Sequence, residues 1–452
     1  MRIAIFGAGV TTPLVVGSLL RHAVDLGIEA VLIHDRDPVR LRAIGPLLEL
    51  RTARHGRSVR LTADLSEVRG YRPDACIMSI RPGLDRGRSA DERRAKEFGQ
   101  LANETVGAAG MAFACRAVPA TIGLLGSVLG DRPDCLVVNF TNPAGIVTQA
   151  LRSAGFGNTF GVCSSAEKSA RQLAAGSPAD PRPWRPLVYG LNHCSWIYSA
   201  RRDGVERLPQ VLASDELLRT AQPWFDPDLP RRHGVLLNEY LHYYLQYPRA
   251  MEEQRRSPHT RGEFVESLNR DVHAALLAAE TPAGAVSAYS RYLSLRKHSY
   301  EKLAGDNYQR VAPHEYNDDD GYSGPALGVI SGRLLGRPVS LACILPGRVE
   351  GVPGPVGVES TVSFTNGVPE PVPVPGVRPE LSGLLRQVAR YERTVLDAIS
   401  AEDLDGLADA LSQHPLTASS RRNTEFLGAT VAAWPDVFKG WRGGPGRRHR
   451  CS

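Results

Sequence analysis

The sequence predicts an α/β protein: an N-terminal doubly wound parallel sheet followed by a C-terminal mixed α/β (α+β) domain. Three observations predict it. Short β-branched runs alternate with helical periods through roughly the first 190 residues. The first run breaks at once into Gly7-Ala8-Gly9. After about Leu191 the pattern changes to a hairpin, a helical stretch, and then strand-like sequence again.

Arg2-Ile-Ala-Ile-Phe6 reads as a buried strand. Thr12 and Pro13 read as the N-cap and first turn of a helix whose Val15, Leu19, His22 and Leu26 form one largely apolar stripe. A second strand, Ala30–His34, ends in Asp35. The glycines allow close approach of a pyrophosphate to a positive helix terminus, and Asp35 can accept from a ribose hydroxyl. Thr12 stands where the third glycine of that fingerprint would be. Dinucleotide binding is therefore expected, with NAD the expected cofactor. Its candidate contacts are Gly7, Gly9, Val10, Asp35, Arg36 and Arg81.

Pro38 to Arg54 reads as a helix, and Ser58–Thr62, Asp74–Ile80, Cys135–Thr141 and Thr159–Cys163 as further strands. In a doubly wound sheet ligands bind beyond the carboxyl ends of the strands, so Arg81, Asn142 and Cys163 form a candidate rim. Cys194 to Ala200, Asp203-Gly204 and Val205 to Leu208 read as a hairpin. Helical segments are expected from about Val235 to Leu295, and strands from Val339 to Phe364 with a turn at Asn366-Gly367. Pro369 to Pro379 reads as a connector. Amphipathic helices follow, marked by Leu381 to Ile399 and by Leu404, Leu407 and Leu411. The expected division is a nucleotide-binding domain over 1–192, a substrate and catalytic domain over 193–440, and a basic solvated tail over 441–452.

Of the 452 residues, 42% are hydrophobic, ample for a large core. The first strand leaves no room for a signal peptide, and no run reads as long enough to span a bilayer, so no membrane partner is expected. Seven scattered cysteines argue against a disulfide framework and for a reducing cytoplasm. The net charge of +6 is the difference of 54 and 48, concentrated only in the tail, and aromatics are not interleaved with basic residues. Nucleic acid is therefore not the expected partner.

Cys163 ends a strand and is followed by a helix start at Ser164-Ser165, where a helix N-terminus favours a thiolate. His193 ends the next strand-like piece, and one Cys and one His at neighbouring strand ends could share a divalent ion. The blander reading is a core cysteine and a hydrogen-bonded loop histidine. Tyr240, Tyr243, Tyr244 and Tyr247 could be a core stripe, or could include a general base whose phenol is tuned by a metal or arginine. Arg81, Arg86 and Arg88 could bind an anion or face solvent. Asn317 to Asp320 reads as a surface loop.

Taken in order, the motifs resemble glycoside hydrolase family 4, the NAD- and metal-dependent 6-phospho-glycosidases and α-galactosidase-type enzymes. Arg88 with Asp91-Glu92 matches the family's Arg, two residues, Asp-Glu. Asn103-Glu104-Thr105 with Gly107 and Gly110, and Arg116-Ala-Val-Pro119, match its next two motifs. Asn139-Phe-Thr-Asn-Pro-Ala-Gly145 and Gly190-Leu-Asn-His193 are intact. Tyr240-Leu-His-Tyr-Tyr244, Thr260-Arg261, Gly321-Tyr322-Ser323 and His414-Pro415-Leu416 continue the likeness.

The resemblance implies a Rossmann domain and a mixed α/β domain with the active site between them, and a cytoplasmic homodimer or homotetramer acting on a small sugar. It implies Cys163 and His193 as ligands of a divalent metal, usually Mn²⁺. Arg88 and Asn142 become substrate contacts, Glu104 a carboxylate tuning the site, Tyr240 the base, and Arg261 a phosphate or anion contact. The implied chemistry is redox-neutral: oxidation at C3, proton removal from C2 with loss of the aglycone from C1, water addition, and return of the hydride.

Two positions depart from the pattern. The residue after the metal cysteine is normally Asn, Asp or His and here is Ser164, a poor acid at neutral pH. The glycine turn usually continues with a serine that touches a sugar phosphate, and here Val10 stands there. Arg261 thus favours an anionic substrate while Val10 disfavours a phosphate. Ser164 also motivates an alternative, a sugar oxidoreductase or epimerase that uses the same C3 oxidation without glycosidic cleavage.

Overall fold

The computed structural model describes residues 1–177, 182–303, 321–374, 376, 378–417 and 422–444. The expected loop at Asn317 to Asp320 lies outside them. The strands are β1 (Arg2–Phe6), β2 (Ala30–His34), β3 (Ser58–Thr62), β4 (Ala75–Met78), β5 (Leu136–Asn139) and β6 (Thr159–Gly161). They continue as β7 (Trp184–Leu191), β8 (Cys194–Arg202), β9 (Val205–Glu206), β10 (Leu236–Leu237), β11 (Val339–Gly347), β12 (Val356–Thr365) and β13 (Val368–Pro371).

The first helices are α1 (Thr12–Arg21), α2 (Pro38–His55), α3 (Leu65–Tyr71), α4 (Leu84–Glu97), α5 (Gly107–Leu129), α6 (Ala144–Ser153) and α7 (Ser165–Ala175). Then come α8 (Leu208–Ala213), α9 (Asp215–Ala221), α10 (Asp228–His233), α11 (Leu241–Leu245), α12 (Tyr247–Arg256), α13 (Arg261–Leu277) and α14 (Pro282–Leu303). The chain closes with α15 (Gly324–Leu335), α16 (Pro379–Ala401), α17 (Leu404–Gln413) and α18 (Asn423–Ala433).

One sheet runs through both halves in the order β10-β8-β7-β12-β11-β6-β5-β4-β1-β2-β3, with β13 on β12 and β9 on β8. From β3 to β6 every pairing is parallel; from β6 through β11, β12, β7 and β8 every pairing is antiparallel. Strands β1, β2, β4, β5 and β6 are buried on both faces, which is why they read as apolar runs, whereas the edge strand β3 is largely exposed. Ile3 and Ile5 face a core shared with α1, α2 and α15. Ala4 and Phe6, one residue out of phase, face the core of α5, α6, α16 and α17.

Local differences from the sequence reading have local causes. Helix α1 begins at Thr12, with Thr11 at the cap and no side-chain capping bond. The Thr12 hydroxyl instead donates to the Gly7 carbonyl at 2.7 Å, bracing the glycine turn where a third glycine would stand. That helix ends at Arg21, so Leu26 is buried from a following turn. Helix α5 is long and apolar enough by length and composition to cross a bilayer. The sequence reading missed it because Arg116 and Pro119 interrupt the run; here it is a core helix. Trp441 to Gly444, read as the start of a free tail, are pinned: Arg442 pairs through its backbone with Glu402 and Leu404.

Several quoted motifs prove to be mortar. Asp91 pairs with Arg94 at 3.1 Å and with Arg116, and accepts from the Trp434 indole at 3.1 Å, tying α4, α5 and the segment after α18 together. Glu92 pairs with Arg88 at 2.8 Å and accepts from the Gly262 amide at 2.5 Å, so it fastens α4 to the first turn of α13. His414 is fully buried, its Nδ1 accepting from the Leu416 amide at 3.2 Å and its ring set edge-on to Tyr391.

Strands β7 and β8 are joined by a two-residue turn, Asn192-His193, with His193 in the left-handed region at φ 66. Gly190 lies opposite Ser195 at φ 147, and a Cβ there would stand 2.5 Å from the Ser195 Cα. Only glycine lets the two backbones meet so closely. Gly190→Ala should therefore lower the urea midpoint by the equivalent of at least ~2 kcal/mol. Gly123→Ala, on the open exposed face of α5, should be neutral or stabilising by up to ~1 kcal/mol. Equal midpoints for the two variants would refute the packing argument.

Burial holds the His414 imidazole down at about 3. As pH falls the unfolded chain takes up this proton first, so stability is whole above about 6.5 and declines toward about 3. The slope is about 1.4 kcal/mol per pH unit for each such group. His414→Asn should remove about that much of the slope between pH 6 and 5, read from urea midpoints; an unaltered slope would show that the ring does not stay neutral.

Candidate active site

The carboxyl ends of the parallel strands open onto a cavity of about 350 Å³. Gly7, Gly9, Val10, Asp35, Arg36, Arg81 and Asn142 all stand in its wall. Gly7 is at φ 109, and a Cβ there would lie 3.0 Å from the Ser79 carbonyl carbon, so the turn admits no side chain. Asp35 accepts from the Ala8 amide at 2.8 Å and the Asp37 amide at 2.9 Å, which fixes its carboxylate against the turn with lone pairs to spare. The Val10 side chain packs among residues of α2, α13 and α14, and its carbonyl accepts from the Tyr289 hydroxyl of α14.

Asn142 reaches the cavity by a local device. Asn139 accepts from the Thr141 amide at 3.0 Å and donates to the Thr141 carbonyl at 3.1 Å, folding the end of β5 into a tight turn. The Thr141 hydroxyl accepts from the Ile80 amide at 3.1 Å, joining this turn to the end of β4. The Asn142–Pro143 peptide is cis.

Beside the cavity lies an arginine-clamped carboxylate. Glu104 pairs with Arg88 at 2.9 Å and with Arg81. Burial opposes its ionisation most strongly, yet the two guanidiniums together outweigh burial and hold it at about 2. Glu104 is therefore a fixed negative charge at any working pH. Arg81 also faces Asp85 at 3.6 Å, and Asp85 accepts from Asn269 of α13 at 2.9 Å.

Cys163, His193 and Tyr240 come together. The Cys163 sulfur lies 3.9 Å from His193 Nε2, and the Tyr240 ring stacks on the imidazole with centroids 3.7 Å apart and planes at 15°. Burial holds His193 down at about 3, so its imidazole is neutral and keeps a lone pair for a cation. Burial likewise pushes the Cys163 thiol up to about 12. The helix-terminus effect expected from sequence, about 0.3–1 kcal/mol, loses to that rise of roughly 4 kcal/mol. A coordinating cation reverses the balance, because a thiol bound to a metal gives up its proton. The 3.9 Å spacing is less than two ligand bonds of about 2.0–2.3 Å end to end, so the pair fits one ion. Among the described residues there is no group of three or more His, Cys, Asp and Glu placed to hold a metal.

Ser164 caps α7 without a side-chain capping bond, and its neighbour Ser165 is the hydroxyl beside Cys163, at 3.2 Å. Arg261 opens α13 above the Phe264 ring, at 5.3 Å, adjacent to the Gly262 amide that Glu92 binds. It does not stand in the cavity wall.

The sequence reading did not single out Arg296, Ser195, Asn192, Asn238 or Glu359. Arg296 stands in the cavity wall and donates to the Tyr292 hydroxyl at 2.6 Å. Glu359 is buried in β12 and accepts from Ser195 at 2.7 Å and Asn192 at 3.3 Å; burial pushes it up to about 7 against those two bonds. The available signal was one acid inside the apolar run Val356-Gly-Val-Glu-Ser-Thr-Val362, which a buried strand tolerates only with partners.

The model of the family 4 glycosyl hydrolases matches residues 2–175, and that of the family 4 glycosyl hydrolase C-terminal domain matches residues 188–417. A probable 6-phospho-β-glucosidase of Bacillus subtilis (strain 168) is 23% identical, over 97% of this chain and 98% of its own length. A 6-phospho-β-glucosidase of Escherichia coli (strain K12) is 25% identical, over 77% and 75%. Among solved structures, the 6-phospho-β-glucosidase of Thermotoga maritima with NAD and glucose 6-phosphate superposes at a TM-score of 0.79 and 22% identity, covering 97% and 99%. A 6-phospho-α-glucosidase from gut microorganisms in complex with NAD and Mn²⁺ gives 0.78 and 19%, covering 96% and 98%.

Proposed function

The chain belongs to family 4 of the glycosyl hydrolases, and from that premise we propose that it hydrolyses a small glycoside with NAD⁺ and a divalent cation, first Mn²⁺, as cofactors. The observation that carries the reading is the trio of Cys163, His193 and Tyr240, with sulfur and imidazole 3.9 Å apart and phenol stacked on imidazole. The relatives with NAD and Mn²⁺ bound support the choice of cofactors.

When bound, NAD⁺ would supply a hydride acceptor and the cation a Lewis acid for sugar oxygens. The Gly7–Gly9 turn and Asp35 hold the dinucleotide, and Cys163 with neutral His193 holds the cation. Tyr240 removes the proton from C2 of the sugar. Glu104, ionised between Arg81 and Arg88, keeps both guanidiniums in place, and Arg88 and Asn142 orient the sugar. Ser164 supplies no proton at neutral pH, so water protonates the departing aglycone or only good leaving groups are accepted. Arg261 favours a substrate with an anionic group, while Val10 places no hydroxyl at its own position for a phosphate.

Incubation with NAD⁺, Mn²⁺ and nitrophenyl glycosides with and without a 6-phosphate, in D₂O, tests this. Aglycone release with deuterium at C2 and no accumulation of NADH is the expected result. NADH in stoichiometric amount would instead favour the oxidoreductase. Tyr240→Phe should abolish C2 exchange while NAD⁺ binding survives, and exchange at the original rate would remove Tyr240 from the reaction. Cys163→Ser and His193→Ala should each weaken Mn²⁺ binding by roughly 100-fold, measured from the spin-resonance signal of free Mn²⁺.

A further inference from the structure

We propose that Glu359 is a positioning residue that ties the cation ligands to the base, so that a single buried carboxylate sets the geometry of both. The inference rests on the glycosidase reading of the trio. Gly161, Ile344, Glu359, Gly190 and Ser195 lie opposite one another in a single row across β6, β11, β12, β7 and β8. Paired residues of neighbouring strands present their side chains to the same face. Gly190 has none, so the gap it leaves is where Glu359 and Ser195 meet, Oγ to Oε2 at 2.7 Å.

From Glu359 two arms diverge. In one, the Asn192 side-chain amide donates to Glu359 Oε1 at 3.3 Å. Asn192 is also the first residue of the turn that carries His193. In the other, the Ser195 hydroxyl accepts from Asn238 Nδ2 at 3.1 Å, and Asn238 Oδ1 accepts from the Tyr240 amide at 3.0 Å. The Asn238 amide closes the loop by donating to the Ser195 carbonyl at 3.1 Å. One arm ends on the turn that carries His193 and the other on the tyrosine.

The ionised form of Glu359 is the one that accepts on both oxygens and donates nothing. A carboxylate takes Ser O–H on one oxygen and Asn N–H on the other. Gln at 359 would aim an N–H at the Asn192 N–H, and the Asn192 amide would turn over to relieve the clash. The brace on the turn that carries His193 would then be altered, and with it the placing of the imidazole.

The test uses the full chain with NAD⁺ bound, comparing wild type, Glu359→Gln and Ser195→Ala. In Glu359→Gln the Mn²⁺ dissociation constant should rise roughly 10–100-fold, with NAD⁺ affinity by calorimetry unchanged within about twofold. In Ser195→Ala the Mn²⁺ constant should stay within about threefold of wild type, while C2 exchange at saturating Mn²⁺ falls at least about tenfold. This split is what a merely structural role would not produce. If Glu359→Gln does not fold, Asn192→Ala carries the metal arm and should raise the Mn²⁺ constant by the same range. Unchanged Mn²⁺ affinity on that arm, or equal loss of both properties in both variants, would overturn the inference. A wild-type chain that bound no Mn²⁺ would overturn the glycosidase reading beneath it; wild-type binding with unaffected variants would overturn the inference alone.

Discussion

The close approach of two backbones at Gly190 is the constraint on which the antiparallel half is built. Without a side chain there, β8 folds back on β7 through two residues, and the second of those is His193 in a left-handed conformation. The turn sets the imidazole toward the sulfur at the end of β6. The empty place in the row admits a buried acid from β12. A larger residue would push the strands apart and dissolve both arrangements, because the row is continuous through hydrogen-bonded neighbours. Local sterics, not a long-range field, thus decide where the candidate cation ligands stand.

Electrostatics acts second and in a different place. Glu104 is nearly enclosed, and an enclosed carboxylate ordinarily resists ionisation; two arginines reverse that. The result is a charge that does not respond to pH, paired with an arginine of the cavity wall and felt by His193. Such a fixed charge costs no reorganisation when a reaction alters the charges around it. The neighbouring pair Glu92–Arg88 extends the same network to α13, so Arg88 is held from helices in both halves of the chain.

The parallel half was legible because its signals are local. The β-branched runs, the glycine turn and Asp35 each act within about thirty residues, and every strand end lies within two residues of its expected place. Cys163 and His193 were nameable individually, but their spacing comes from antiparallel pairings formed by residues near 344 and 359, which no local pattern reveals. Glu359 went unnoticed for the same reason: its worth lies in partners far away in sequence. The tyrosine run shows the limit from the other side. Four tyrosines at helical spacing all pack around Leu101, Ala250 and Leu416, Tyr240 alone of the four also stacks on His193, and only tertiary contact tells them apart.

The bond from Tyr289 to the Val10 carbonyl joins the glycine turn to a helix some 280 residues further on. Loop and helix are therefore parts of a single joint, and neither is free to drift in evolution without the other. A turn transplanted here from an unrelated dinucleotide-binding protein would arrive without its counterpart on α14, and the graft would have to be two pieces to fit.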